Sequence, residues 1–258
     1  MLQLTVFNVI LLLIITALLI AVKKTVRSER GEYIIFLLAA VVTVLFHYSS
    51  AIFRAFTNAD LIGYLRDTPN LILPIYPCNV VMWSCFVLGL LRDKTSKLAR
   101  LLTDYIFWFG IFSTLVGMFA NVDFINNPTL ADYEITKSIV AHATLLFNLL
   151  LLPLFGRIKI DFWKNMKHML LSVIGMYLIG LYCNLMFRVL VSPEKAYDEN
   201  SMFIIHSPFE GVGFLRYPVI AAIALVLYFI LFTVLDCIKH KKGERWFDQL
   251  KRKLRHVV

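Results

Sequence analysis

Seven apolar runs of roughly 19–25 residues recur along this 258-residue chain. Each is long enough to cross about 30 Å of hydrocarbon as a helix. They cover Leu4–Val22, Tyr33–Phe53, Leu71–Leu91, Leu101–Val122, Ile135–Phe155, Lys167–Val191 and Leu215–Leu235. In lipid every backbone N–H and C=O must be satisfied from within the protein, so runs of this length become α-helices. The predicted fold is all-α, a polytopic membrane bundle of seven transmembrane helices. The composition agrees: 59% of residues are hydrophobic and 17% charged, far from the balance of a soluble domain.

The connections alternate in charge. Lys23, Lys24, Arg27 and Arg30 fill the first, Arg92, Lys94, Lys97 and Arg100 the third, and Arg157, Lys159, Lys164 and Lys167 the fifth. The remaining connections are poorer: Arg54 and Arg66, then Lys137, then Arg188, Lys195 and Arg216. The positive-inside rule places the rich segments in the cytoplasm, giving N outside and C inside. The start, Met1-Leu2-Gln3, lacks the basic n-region of a signal peptide and reads as a true first span. The net charge of +9 follows this topology, so nucleic acid is not an expected partner. The expected location is a cell membrane, the plasma membrane of a bacterium.

Residues 1–238 form the transmembrane domain and 239–258 a basic cytoplasmic tail. In the tail Trp246, Phe247, Leu250, Leu254 and Val258 recur at helical spacing among lysines and arginines. Such a helix lies on anionic inner-leaflet lipid.

Orientation converts sequence position into depth at about 1.5 Å per residue. Cys78 and His142 then lie roughly 10 Å below the outer surface, and His47 about 9 Å. Asn8, Asn79, Asn121, Asn184 and Arg188 fall in the same outer layer. Ionisable groups at such depth are costly and mark functional sites by default, and a polar cavity between helices is the expected feature. Asparagines also serve as interhelical hydrogen-bonding groups, and at any one of them that reading competes with ligand binding.

Pro74 and Pro77 bracket the approach to Cys78. Each lacks an N–H and frees a carbonyl one turn back, so the third span is predicted to kink there and line the cavity. A thiol buried in lipid is inert, and a neighbouring imidazole would supply the base it needs. The sixth connection, Ser192 to Phe214, is long and acidic, with Glu194, Asp198, Glu199, Asn200, His206 and Glu210. The fourth contains the turn signal Asn126-Asn127-Pro128. Cys78, Cys85, Cys183 and Cys237 show neither disulfide nor metal spacing, and no phosphate-cradle, HExxH or dinucleotide motif is present. No metal and no cofactor are expected.

Four segments carry a family resemblance: Leu73-Pro74-Ile75-Tyr76-Pro77-Cys78, Phe107-Trp108-Phe109-Gly110, the His142 span, and Asn200-Ser201-Met202-Phe203 followed by Pro208. In order and spacing the chain resembles the YwaF-like integral membrane proteins over roughly Tyr33 to Phe232. Tyr76 stands where that family often has a histidine. The family is similar to a eukaryotic ether-phospholipid acyltransferase, and more distantly to androgen-induced intramembrane lipid hydrolases. The resemblance implies Cys78 as nucleophile and His142 as base.

The expected function is an intramembrane lipid acyltransferase or lipid-ester hydrolase acting on a phospholipid or other acyl lipid. Its substrate-binding candidates are His47, Tyr76, Asn79, Asn121, Asn184, Arg188 and Asn200. The alternative is a non-enzymatic transporter, sensor or accessory subunit binding a small ligand in the same cavity.

Overall fold

The structure is a computed structural model describing residues 2–57, 59–91, 95–119, 129–207 and 211–255. The described secondary structure is helical, and six helices are long and apolar enough to cross a membrane. They are α1 (Leu2–Thr25), α2 (Glu29–Phe56), α5 (Lys97–Phe119), α6 (Tyr133–Leu154), α7 (Phe162–Leu190) and α9 (Tyr217–Lys239). Shorter helices are α3 (Leu61–Asp67), α4 (Pro77–Leu90), α8 (Pro193–Glu199) and α10 (Trp246–Arg255). The chain divides into two compact units, residues 1–158 and 159–258.

The run expected as a seventh, kinked span, Leu71–Leu91, folds differently. Its helix, α4, begins at Pro77 and has 14 residues, about 21 Å of rise against the ~30 Å of a bilayer core. Pro74 drives Leu73 out of the helical region, and the N–H of Ile75 donates to the Leu73 carbonyl at 2.8 Å. Pro77 then occupies the first helical position, where its missing N–H is no loss and its fixed φ suits the helix. Two prolines three residues apart therefore delay the helix instead of bending it.

In the first unit α6 is the central element, packing against α1, α2, α4 and α5. Its sequence explains this: apolar residues run round most of its circumference, and 56% of its apolar window is buried, the largest share among the six long helices. Ile15 of α1 packs with Met118, Ala143 and Leu146, and Leu4 with Ile135 and Ile139. α5 contains a π-helical turn at Tyr105–Phe109, the segment singled out above as Phe107-Trp108-Phe109-Gly110. The wide turn shifts the register of the following residues. Gly110 comes to lie where an added Cβ would be 2.8 Å from Val81 of α4 and 3.1 Å from Leu149 of α6. The Arg157–Glu32 pair at 2.7 Å ties the segment after α6 to α2.

In the second unit α7 packs against both α8 and α9, and the Tyr217 hydroxyl donates to the Val173 carbonyl at 2.6 Å. The sixth connection is not an open loop. Ser192 caps α8, Pro193 fills its first turn, and Lys195 pairs with Glu199 at 2.7 Å.

Candidate functional site

The first unit holds Cys78, His142, His47, Tyr76 and Asn79. Cys78 is the second residue of α4 and partly exposed. Asn79 is buried, and its Oδ1 accepts from the Tyr76 N–H at 3.1 Å. The asparagine thus caps the turn that presents the thiol, and Tyr76 is the N-cap residue. Cys85, seven residues on, is fully buried, and all four cysteines are free thiols.

The segment before α4 is satisfied from α2. His47 Nε2 lies 3.3 Å from the Asn70 carbonyl oxygen, and the Tyr48 hydroxyl donates to the Leu71 carbonyl at 2.8 Å. A carbonyl accepts only, so His47 carries its proton on Nε2 and keeps a lone pair on Nδ1. His142 on α6 shows the mirror arrangement: Nδ1 donates to the Ser138 carbonyl at 2.8 Å, leaving the lone pair on Nε2. The His142 ring lies over Gly117 of α5, where an added Cβ would stand 2.2 Å from Nε2.

Val81 of α4 and Leu149 of α6 both lie against Gly110 of α5. α4 also packs on α6. Among the described residues no hydrogen bond joins Cys78 to His142; the imidazole donates to Ser138 and lies over Gly117.

One group of residues at this end had no role in the sequence argument. Lys137 donates to Glu134, to Ser50 Oγ at 3.1 Å and to the Tyr64 hydroxyl at 3.3 Å. Ser50 donates to Glu134 at 2.6 Å, and Tyr64 to the same carboxylate at 3.1 Å. Arg54 stacks over the Tyr64 ring at 4.4 Å. The cluster ties α2, α3 and α6 together. Its sequence signal was Glu134 and Lys137 three apart at the head of an apolar run.

The second unit holds Asn184, Arg188 and Asn200. Asn184 gives its whole amide to one residue: Nδ2 donates to the Ser201 carbonyl at 3.2 Å and Oδ1 accepts from the Ser201 N–H at 2.9 Å. Asn200 adopts φ +41°, followed by Met202 at +55° and Phe203 at +58°. Its Oδ1 accepts from Ile205 and its Nδ2 donates to the His206 carbonyl, both at 2.9 Å. The Asn200-Ser201-Met202-Phe203 segment is therefore a left-handed turn held by two asparagines. Arg188 is exposed in the last turn of α7. Asn121, like Asn126-Asn127-Pro128, Pro208 and Glu210, lies outside the described residues. Among the described residues no group of three or more His, Cys, Asp or Glu side chains is arranged to hold a metal.

Residues 1–236 match the TMEM164 family. The chain belongs to the TMEM164 family. This is a family of membrane proteins, and the several apolar helices make the chain a multi-pass member. No curated protein and no solved structure matches.

Proposed function

We propose that this TMEM164-family protein is an intramembrane lipid acyltransferase or lipid-ester hydrolase, with Cys78 as nucleophile and His142 as base. The observation that carries the reading is the position of Cys78. It opens a helix whose preceding backbone is non-helical, inside a unit otherwise built of long spans. A thiol placed there is inert on its own when buried, so the reading depends on a base, the part given to His142. The resemblance to YwaF-like proteins and to the ether-phospholipid acyltransferase supports the same pair.

The chemistry runs in two halves. His142 Nε2 takes the Cys78 proton, the sulfur attacks the acyl carbonyl carbon, and a C–S bond forms. The oxyanion faces the Cys78 N–H, since Pro77 has none and the Asn79 N–H donates to the Tyr76 carbonyl at 3.0 Å. The ester C–O bond breaks and His142 returns its proton to the leaving alkoxide. Water or a lipid hydroxyl then attacks the acyl-Cys, gives its proton to His142, and the thiol departs protonated. Closing the gap between sulfur and imidazole is the task of substrate binding, since catalytic hydrogen bonds often tighten only in the complex. Phospholipid or another acyl lipid is the substrate class. His47, bonded to the segment before α4, and Tyr76, its N-cap residue, are the candidates to take part in binding it.

We also infer N outside and C inside from the charge alternation, with α4 and its non-helical lead completing a seventh crossing in a bacterial cell membrane. Purified wild-type, Cys78→Ala and His142→Ala proteins in nanodiscs test the assignment on mixed phospholipids. Acyl turnover and hydroxylamine-sensitive acyl label on Cys78 should both vanish in the variants; undiminished turnover in either sinks it. A half-helix ending at membrane depth also suits a small-ligand site in a transporter, sensor or accessory subunit. In that case Cys78→Ser would be silent and no acyl label would form.

A further inference from the structure

The last helix, α10, has ten residues, a length at which an isolated helix is marginal in water. It is held at several points. The Trp246 N–H donates to Asp236 Oδ2 at 2.9 Å, and His240 Nδ1 sits 3.0 Å from Oδ1 of the same carboxylate. Asp236 belongs to the last turn of α9 and is only 3% exposed. A carboxylate of one helix thus caps the first turn of the next, where an anion best serves the orphan N–H groups.

The aromatic packing is equally specific. The Trp246 indole lies flat on Phe162, centroids 4.3 Å apart and planes 7° from parallel. Trp163 and Phe229 meet it edge-on at 5.7 and 5.5 Å. The connection before α10 folds back onto the helix. Asp248 accepts from the Gly243 N–H at 2.8 Å, Arg252 donates to the Gly243 carbonyl at 2.6 Å, and Gln249 to the Glu244 carbonyl at 2.7 Å. Gly243 takes φ +94°, which suits glycine.

This elbow sits between two kinds of surface. On one side α9 carries exposed Leu231, Val234 and Ile238, a lipid-facing stripe. On the other, Lys241, Lys242, Lys251 and Arg252 are exposed. By sequence Lys239, Arg245, Lys253 and Arg255 add to these against Glu244 and Asp248 alone. Tryptophans at such a boundary match the headgroup level of a bilayer.

We propose that α10 is a docking surface for an anionic lipid bilayer, set at the headgroup level by the Asp236 cap and the Trp246 stack. Charge complementarity selects an acidic surface, and continuity with the lipid-facing stripe of α9 selects lipid over an acidic protein. The membrane helix delivers α10 to the headgroups, so binding needs no diffusional search. The elbow keeps the cationic face from swinging free.

The test uses the full chain in nanodiscs of phosphatidylcholine alone or with phosphatidylglycerol, reading backbone amide exchange across 246–255 by mass spectrometry. Exchange should slow about tenfold with the anionic lipid and recover at high salt. Lys251→Gln with Arg252→Gln should lose most of that tenfold response. Asp236→Leu should speed exchange in both lipids, since every basic residue remains but the cap is gone. Equal exchange of wild type in the two lipids overturns the proposal, as does a response untouched by the charge substitutions. Exchange unaltered by Asp236→Leu overturns the role given to the cap.

Discussion

Gly117→Ala is the sharpest probe of the site, because its effect depends on where one imidazole sits. The new Cβ would lie 2.2 Å from His142 Nε2, 2.3 Å from Cδ2 and 2.9 Å from Cε1. Carbon contacts settle near 3.5–4.0 Å, so the ring must retreat by more than about 1 Å. It cannot do so and keep Nδ1 at 2.8 Å from the Ser138 carbonyl. Overpacking of this kind costs about 1–3 kcal/mol, and the lost hydrogen bond about 0.5–1.5 kcal/mol. Better helix propensity returns about 1 kcal/mol. The net expectation is a loss of about 1–3 kcal/mol.

With His142→Ala in place the obstacle is gone, and Gly117→Ala should be neutral or stabilising by about 1 kcal/mol. The double-mutant cycle therefore carries a coupling of about 2–4 kcal/mol. Reversible unfolding of the four proteins in mixed micelles measures it. If Gly117→Ala has the same effect in both backgrounds within about 0.5 kcal/mol, the imidazole does not rest on Gly117 and the site geometry is wrong. Under the proposed chemistry Gly117→Ala should also lower acyl turnover toward the His142→Ala level.

Three further substitutions follow from the same contacts. Tyr48→Phe removes the donor to the Leu71 carbonyl and should cost about 1–2 kcal/mol in micelle unfolding, with faster amide exchange just before α4. Lys137→Met leaves Glu134 and Ser50 without their cation. The Glu134 side chain is 48% exposed while that of Lys137 is 9% exposed, so the loss should be about 1–2 kcal/mol, below the 3–5 typical of a fully buried pair. Asn184→Ala strips both hydrogen bonds from the Ser201 backbone. It should lower stability by about 1–3 kcal/mol and open residues 200–206 to proteolysis.

Hydropathy read most of the long helices well because length in lipid is a one-dimensional constraint. Tyr33–Phe53 lies within α2, and Ile135–Phe155 matches α6 to within two residues. The start of α4 was harder. Pro77 inside an apolar run reads as a kink, yet a proline in the first turn of a helix carries the same composition. What decides is Pro74, whose effect on Leu73 leaves no helix for Pro77 to bend. The π turn at Tyr105–Phe109 left no compositional trace, since it is a matter of register. The Glu134–Lys137 cluster, the His142 seat on Gly117 and the Asp236 cap are contacts between elements, and sequence spacing does not encode them.

Polar residues at membrane depth divide by what their hydrogen-bonding atoms do. Asn79 caps α4, Asn184 binds both backbone groups of Ser201, and Asn200 holds the following turn. Each has a structural occupation. His47 and His142 differ in kind. Each gives one proton to a backbone carbonyl and retains a lone pair on the other nitrogen. A group meant only to lock helices together is better served by an amide, which can use both its atoms. An imidazole oriented by one carbonyl, with its basic nitrogen left over, is built to receive a proton. That difference makes His142 the candidate base of the proposed chemistry and leaves the asparagines as scaffold.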